Sequence, residues 1–169
     1  MSLTIRRART GEGPALSALC VRSKAVWGYD EAFLAYTVDP LMVHEPAIAT
    51  GHVLVAAEGQ RLIGVAELGM RRFSSVGGLD KLFVAPDRLR RGVGTALFQA
   101  VAALAVRRGL QRLRLLSDPH AAGFYEGLGA VRLGEAPSGP IPGRLLPVYE
   151  LRVRGRRWPQ RTGTGGRLA

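Results

Sequence analysis

Residues 79–105 read LDKLFVAPDRLRRGVGTALFQAVAALA and carry the most informative pattern in the chain. The opening LDKLFVA predicts a strand that ends at Pro86, because proline cannot continue a strand ladder. Apolar residues then recur at helical spacing, and Gly109 is placed to end the helix; the repeating positions are Leu97, Ala100, Val101 and Leu104. The pattern predicts a strand, a glycine-containing turn and a long helix at 94–109.

The turn between them, Arg90-Arg91-Gly92-Val93-Gly94-Thr95, has two interpretations. Glycines let a backbone approach a ligand closely, and free N–H groups at a helix start favour phosphate. The turn is not a Walker loop, which needs Gly-Lys-Ser/Thr, and it lacks the third glycine of the dinucleotide fingerprint. From the turn alone, phosphate binding and a tight turn with solvated arginines both remain open.

The flanking sequence predicts an α/β domain with a mixed sheet. Two β-rich runs at 52–58 and 61–70 are separated by Gly59-Gln60, which is typical of a hairpin. Residues 74–78 resemble a turn, and 136–144 form a Pro/Gly-rich loop. The remaining predicted elements are strands at 4–9, 112–117, 130–135 and 146–153, and helices starting near Thr10 and spanning 30–37 and 121–128.

Composition excludes several classes of protein. The longest mostly apolar run, residues 94–106, falls short of the roughly 20 residues of a membrane-spanning helix. The first ten residues contain no apolar signal core, so we expect a cytoplasmic protein without a membrane partner. Cys20 is the only cysteine, and the three histidines lack metal-ligand spacing, so no disulfide or metal site is predicted.

The net charge of +11 is concentrated at the C-terminus. Residues 154–169 contain five arginines and no acid, which leaves +6 for residues 1–153. Such a surface attracts polyanions, including nucleic acid and phosphate-rich cofactors. We predict a domain at 1–153 and a basic, disordered tail at 154–169.

Residues 79–135 resemble the GCN5-related N-acetyltransferases (GNAT family), in their bacterial single-domain form. The family's cofactor signature, Gln/Arg-x-x-Gly-x-Gly/Ala, aligns with LRRGVG at 89–94, where Leu89 departs from the first position. The second matching motif is FYEGLG at 124–129. The resemblance covers roughly residues 1–153 and implies a GNAT fold, a mixed, mostly antiparallel sheet of six to seven strands flanked by about four helices.

The resemblance also implies that acetyl-CoA is the co-substrate and donates its acetyl group directly to an amine. Backbone groups of Leu82, Phe83 and Val84 would pair with the pantetheine arm like an added strand. Asp118 stands where relatives often have an asparagine that contacts the cofactor; alternatively it caps the following helix. The pyrophosphate would be held by N–H groups of Arg90, Arg91, Gly92, Val93, Gly94 and Thr95.

Tyr125 matches the family tyrosine near the cofactor sulfur. A phenol with a pKa of about 10 can protonate the departing thiolate. The alternative is that Tyr125 is a core aromatic of a short helix. The general base is less well specified: Asp80 and Glu67 are the candidates, and each is also readable as an ordinary surface or edge carboxylate.

Acceptor recognition is expected, from the resemblance, at the first two helices and the loop at 137–144. Trp27 and Tyr29 would form an aromatic wall there or a core plug between the helices. We therefore predict an N-acetyltransferase acting on a primary amine of a small molecule or protein. The alternative is a non-catalytic protein that binds nucleic acid or another polyanion, a less favoured partner. The resemblance further implies a homodimer.

Overall fold

The computed structural model describes residues 2–158, so most of the predicted tail at 154–169 lies outside the described residues. Within these residues, seven strands and four of the five helices follow the predicted order, with short 3₁₀ turns at Pro86–Arg88 and Pro119–Ala121. The strands are β1 (Leu3–Arg7), β2 (Val53–Glu58), β3 (Arg61–Gly69), β4 (Val76–Val84), β5 (Arg112–Leu116), β6 (Val131–Pro137) and β7 (Leu145–Arg152). The helices are α1 (Gly13–Ala25), α2 (Glu31–Leu41), α3 (Glu45–Ala49), α4 (Val93–Arg107) and α5 (Ala122–Gly127).

The strands form one sheet in the order β1-β2-β3-β4-β5-β7-β6. Every neighbouring pair is antiparallel except β4 and β5, which run parallel because α4 crosses between them. This is the mixed, mostly antiparallel seven-stranded sheet expected from the resemblance.

The parallel strands β4 and β5 separate soon after they meet. Their pairing covers only Val76–Gly78 on β4, opposite Arg112, Leu113 and Arg114 on β5. From Leu79 to Val84, β4 pairs only with β3 on its other side. The sheet is therefore open along one edge of β4, and this gap positions the site described below.

The sheet separates two apolar cores. Leu97, Phe98 and Val101 of α4 are fully buried in the larger core on one face. Leu16 and Leu19 of α1 lie in the smaller core on the other face. The helical spacing of these residues explains why each helix buries a single side against the sheet.

Two local predictions need correction, and one helix was not predicted. Val76–Gly78 is the start of β4 rather than a turn, because it pairs with β5. Helix α2 continues through Pro40, and its residues Thr37 and Leu41 are buried. Helix α3 was not predicted; its first-turn Glu45 accepts hydrogen bonds from the amides of Gly11 and Gly13 at 3.1 and 3.3 Å.

The first residues of the predicted tail contact the domain. The Arg156 guanidinium donates to the Leu128 carbonyl at 2.6 Å, and the Trp158 ring packs edge-on against Phe98 with ring centroids 5.3 Å apart. The domain boundary at residue 153 stays a prediction. No helix within residues 2–158 is long and apolar enough to cross a bilayer.

The packing of α4 on β3 predicts the effect of adding one methyl group at Gly64. A Cβ there would lie 2.7 Å from Leu97 Cδ1 and 3.2 Å from the Phe83 carbonyl oxygen. We expect Gly64→Ala to lower the free energy of unfolding by about 1–3 kcal/mol through overpacking. Urea unfolding measures it, with Gly127→Ala as the control because nothing lies within 4 Å of its added Cβ. Equal stability of the two variants would contradict this packing.

Candidate active site

A cavity of about 960 Å³ lies where β4 and β5 separate. One part of its wall comes from β4 and the start of α4, and another from the segment between β5 and α5. The rest comes from α1, α2 and the β6–β7 connection. The cavity is therefore continuous from the glycine-containing turn to the first two helices.

The glycine-containing turn forms one end of this cavity. Gly92 precedes α4 with φ +81°, and Arg90 also has a positive φ, +58°. This left-handed conformation is inexpensive for glycine and explains the glycine at position 92. No side chain among residues 2–158 caps α4, and its first-turn N–H groups have no acceptor within the helix. The turn thus presents backbone donors where a helix dipole favours an anion.

Strand β4 forms a long wall and is irregular at Asp80. Lys81 pairs with Glu67 and Leu79 pairs with Leu68, so Asp80 is an extra residue in the ladder. Such a bulge bends a strand and redirects its side chains. Leu82, Phe83 and Val84 follow it and line the cavity.

Tyr125 is buried and lines the same cavity. Its ring packs edge-on against Phe124, with centroids 5.1 Å apart. Burial raises the pKa of Tyr125, so the phenol is protonated across the physiological range. Among residues 2–158 the hydroxyl makes no hydrogen bond, so its proton is free for a bound molecule. The position suits a proton donor as well as a core aromatic.

The two candidate bases occupy different positions. Asp80 lines the cavity, and burial followed by the negative charge of Glu67 raises its pKa. Glu67 does not line the cavity; its carboxylate accepts a hydrogen bond from Lys81 at 2.8 Å. Of the two, only Asp80 therefore lines the cavity, and its role as the base stays a prediction.

Asp118 is the centre of a polar group that we call the Asp118 cluster: Lys24, Tyr29, Asp118, His120 and Arg144. Its carboxylate accepts hydrogen bonds from Lys24 Nζ at 3.0 Å and the Tyr29 hydroxyl at 2.8 Å. It also caps the following 3₁₀ turn by accepting from the His120 amide at 3.0 Å. The capping interaction is present, and the contact of Asp118 with a cofactor stays a prediction.

The Asp118 carboxylate is held ionised by these partners. Burial alone raises its pKa, but hydrogen bonds from the His120 amide, Lys24 and the His120 ring outweigh it and lower the pKa to about 2. Because the folded-state pKa is depressed, the stabilisation is present above the unfolded pKa near 4 and is lost as pH falls toward 2.

We expect Asp118→Asn to lower the free energy of unfolding by about 2 kcal/mol at pH 7, the value of the pKa shift in energy units. The difference from wild type should shrink as the pH is lowered from about 4 toward 2. Thermal unfolding across this pH range measures it. A difference that is independent of pH would show that the carboxylate charge contributes nothing.

The two aromatic candidates also separate. Trp27 lines the cavity and stacks on His120, with ring centroids 5.0 Å apart. Tyr29 does not line the cavity; its ring stacks on Phe33 at 4.0 Å and its hydroxyl binds Asp118. Trp27 is therefore a residue of the cavity wall, whereas Tyr29 belongs to the Asp118 cluster and does not line the cavity.

Most of the predicted site residues meet in this cavity. Besides Trp27, Asp80, Asp118 and Tyr125, the cavity is lined by Leu82, Phe83, Val84, Arg90, Gly92, Gly94 and Thr95. Glu67, Tyr29, Arg91 and Val93 do not line it, and Val93 is instead buried in the larger core. Their chemical roles stay predictions. Sequence reasoning missed Lys24, and it included Arg144 only as the last residue of the loop at 137–144; both line the cavity.

Comparison with known proteins agrees with the sequence resemblance. A family model described as "Acetyltransferase (GNAT) family" matches residues 22–130. No match was found among curated protein sequences. The matched segment includes α4, α5 and the whole of β4, and therefore most of the cavity wall.

Solved structures of acetyltransferases share the fold. The PaiA N-acetyltransferase of Thermoplasma acidophilum, in complex with coenzyme A, has a TM-score of 0.74 at 18% identity, covering 90% of this chain and 99% of that one. A GCN5-related N-acetyltransferase from Rhodopseudomonas palustris has a TM-score of 0.72 at 22% identity, covering 90% and 96%. YncA from Salmonella typhimurium, solved with acetyl-CoA, has a TM-score of 0.67 at 19% identity, covering 95% and 99%.

Proposed function

Because the chain belongs to the acetyltransferase (GNAT) family, we propose that it transfers acetyl from acetyl-CoA directly to a primary amine of a small molecule or protein. Acetyl-CoA is the co-substrate of this family. The observation that carries the proposal is the continuous cavity that joins the turn at Gly92 to the buried Tyr125. The family assignment supplies the reaction type, and the cavity supplies the residues.

Two parts of the cavity wall suit coenzyme A: the N-terminus of α4 for the pyrophosphate and the open edge of β4 for the pantetheine arm. The uncapped N-terminus of α4 and the left-handed Gly92 offer backbone donors to a pyrophosphate. In the described part of the chain, the edge of β4 from Leu79 to Val84 has no strand partner on the β5 side, so an extended pantetheine arm can pair with it. Leu89 lines the cavity in place of the usual Gln/Arg side chain, and the backbone donors at the start of α4 do not depend on that side chain.

The reaction forms an amide C–N bond and breaks the thioester C–S bond. The departing sulfur takes a proton from the Tyr125 hydroxyl, which burial keeps protonated. The attacking amine loses a proton, which Asp80 accepts directly or through water. Holding both reactants in one cavity supplies the orientational part of the rate.

Asp80 suits the role of base for two reasons. It is the bulged residue of β4 and lines the cavity, whereas other residues of that strand are held in the ladder. Its raised pKa brings it closer to that of an amine than an ordinary aspartate. Glu67 acts indirectly: its negative charge helps to raise the pKa of Asp80, and its carboxylate forms an ion pair with Lys81.

Acetyl transfer is tested by incubating the protein with acetyl-CoA and a panel of primary amines, and following both free thiol and acetylated amine. We expect thiol release that depends on the amine and yields an equal amount of amide. Thiol release without amide, or no thiol release with any amine class including peptide N-termini and lysine peptides, would contradict the proposal. The cytoplasmic location, the bacterial origin and the homodimer remain predictions.

A further inference from the structure

Two cations of the cavity wall share one carboxylate. Lys24 Nζ lies 3.0 Å from Asp118 Oδ2, and Arg144 Nη2 lies 3.7 Å from the same oxygen. The Tyr29 hydroxyl adds no negative charge, because burial and then its hydrogen bond to Asp118 raise its pKa to about 12. The two cations and the one carboxylate therefore sum to a net charge of +1.

Both cations line the cavity and have more donors than the hydrogen bonds they make. Within residues 2–158 the side chain of Lys24 donates one hydrogen bond, to Asp118, and that of Arg144 donates one, to the Tyr29 hydroxyl at 2.9 Å. An ammonium has three donors and a guanidinium has five. The two side chains are only 13% and 18% exposed, and the Arg144 guanidinium also lies 4.8 Å from the centroid of the Phe33 ring. Because both residues line the cavity, an anion bound there can accept hydrogen bonds from them.

The cluster is separate from the glycine-containing turn. Lys24 comes from α1, Tyr29 from the α1–α2 connection and Arg144 from the β6–β7 connection. None of these segments contributes to the turn at Gly92. An anion bound by Lys24 and Arg144 would therefore contact other elements than the turn that is expected to hold the pyrophosphate.

The wall around Lys24 and Arg144 is otherwise uncharged. The neighbouring lining residues from α1 to α2 and from the β6–β7 connection to β7 include no carboxylate. They are apolar (Val26, Trp27, Pro40, Leu41, Pro140 and Leu146), glycine (Gly139) or hydroxyl-bearing (Ser23, Thr37 and Ser138). Of the two acidic residues that line the cavity, Asp118 is already paired and Asp80 belongs to β4. A second amine on the acceptor would face a net positive charge here, whereas a carboxylate would be attracted.

We infer that the acceptor is a small primary amine that also carries a carboxylate and an apolar group, with the carboxylate bound by Lys24 and Arg144. This inference rests on the proposed acetyltransferase function. Amino acids with apolar side chains have this chemistry. The carboxylate accepts hydrogen bonds from Lys24 and Arg144, and the apolar group lies against Trp27 and Leu41.

Matched acceptors that differ only in the carboxylate test the inference. We compare L-phenylalanine with phenethylamine and L-phenylalaninamide, and L-leucine with 3-methylbutylamine, by thiol release from acetyl-CoA. Charge-assisted hydrogen bonds predict a kcat/KM about 10- to 100-fold higher for the acids. An equal or higher kcat/KM for the amide would instead indicate peptide N-termini and overturn the inference.

Variants assign the preference to the two cations. Arg144→Gln and Lys24→Gln should each reduce the acid-to-amine ratio to within a few-fold of unity, with thermal unfolding confirming that the variants fold. Arg72→Gln is the matched control, because Arg72 is exposed and does not line the cavity. A ratio that survives both cavity variants would overturn the assignment.

A second readout keeps this inference apart from the proposed function. Calorimetric titration of the CoA-loaded protein with N-acetyl-L-phenylalanine and N-acetylphenethylamine requires no turnover. Tighter binding of the carboxylate, lost in Arg144→Gln, supports the inference even if these amines are not acetylated. Equal binding or none of either overturns it, whereas a failure to bind CoA itself contradicts the proposed function.

Discussion

Tyr125→Phe is expected to lower turnover by about 10²- to 10⁴-fold, the usual contribution of a positioned general acid. The hydroxyl is the only atom removed, and it makes no hydrogen bond within residues 2–158. Folding and acetyl-CoA affinity should therefore remain nearly unchanged. Steady-state kinetics with an accepted amine and calorimetry with acetyl-CoA measure the two quantities separately.

Tyr36→Phe is the matched control, because Tyr36 is 65% exposed on α2 and does not line the cavity. Its turnover should equal that of wild type. If Tyr125→Phe also retains wild-type turnover, the general-acid role is wrong and Tyr125 is a packing residue. Because burial raises the pKa of Tyr125, its deprotonation should not limit wild-type turnover below about pH 10.

Gly94→Val is expected to weaken the binding of both CoA and acetyl-CoA by about 10- to 100-fold, the range associated with displacing groups from a fitted pocket. A Cβ at Gly94 would make ordinary contacts, 3.5 Å from Phe124 and 3.6 Å from Val84. The two further methyl groups would extend among residues that line the cavity. The fold should tolerate the change, while the space beside the turn is lost.

Gly127→Val provides the comparison, because Gly127 is exposed in α5 and nothing lies within 4 Å of its added Cβ. Calorimetry with CoA should give a wild-type affinity for this control. Wild-type affinity in Gly94→Val would show that the coenzyme does not occupy the space between α4 and β4.

The central strand–turn–helix unit was predictable because its information is local. Apolar residues at helical spacing and the glycines at 92 and 94 lie within one short segment. The bulge at Asp80 was not predictable, since it depends on how β4 pairs with β3. The same is true of Val76–Gly78, whose glycines resemble a turn until β5 pairs with them.

The acceptor side was harder to predict because its contacts are distant in sequence. Lys24 meets Asp118 across 94 residues, and Tyr29 meets Arg144 across 115 residues. A lone lysine and a lone arginine in a basic chain give no local signal, whereas the fold brings both to one carboxylate. The sequence could predict Trp27 and Tyr29 only as a pair, whereas the structure shows that Trp27 lines the cavity and that Tyr29 binds Asp118.

The most direct test of the central claim is calorimetric titration of the wild-type protein with acetyl-CoA and plain CoA at about 150 mM salt. The cavity between β4 and β5 predicts one-to-one binding of both, with a dissociation constant in the micromolar range. Specific contacts should preserve this binding as the salt is raised. An absence of binding, or binding that collapses steeply between about 50 and 200 mM salt as for a nonspecific polyanion, would contradict the account.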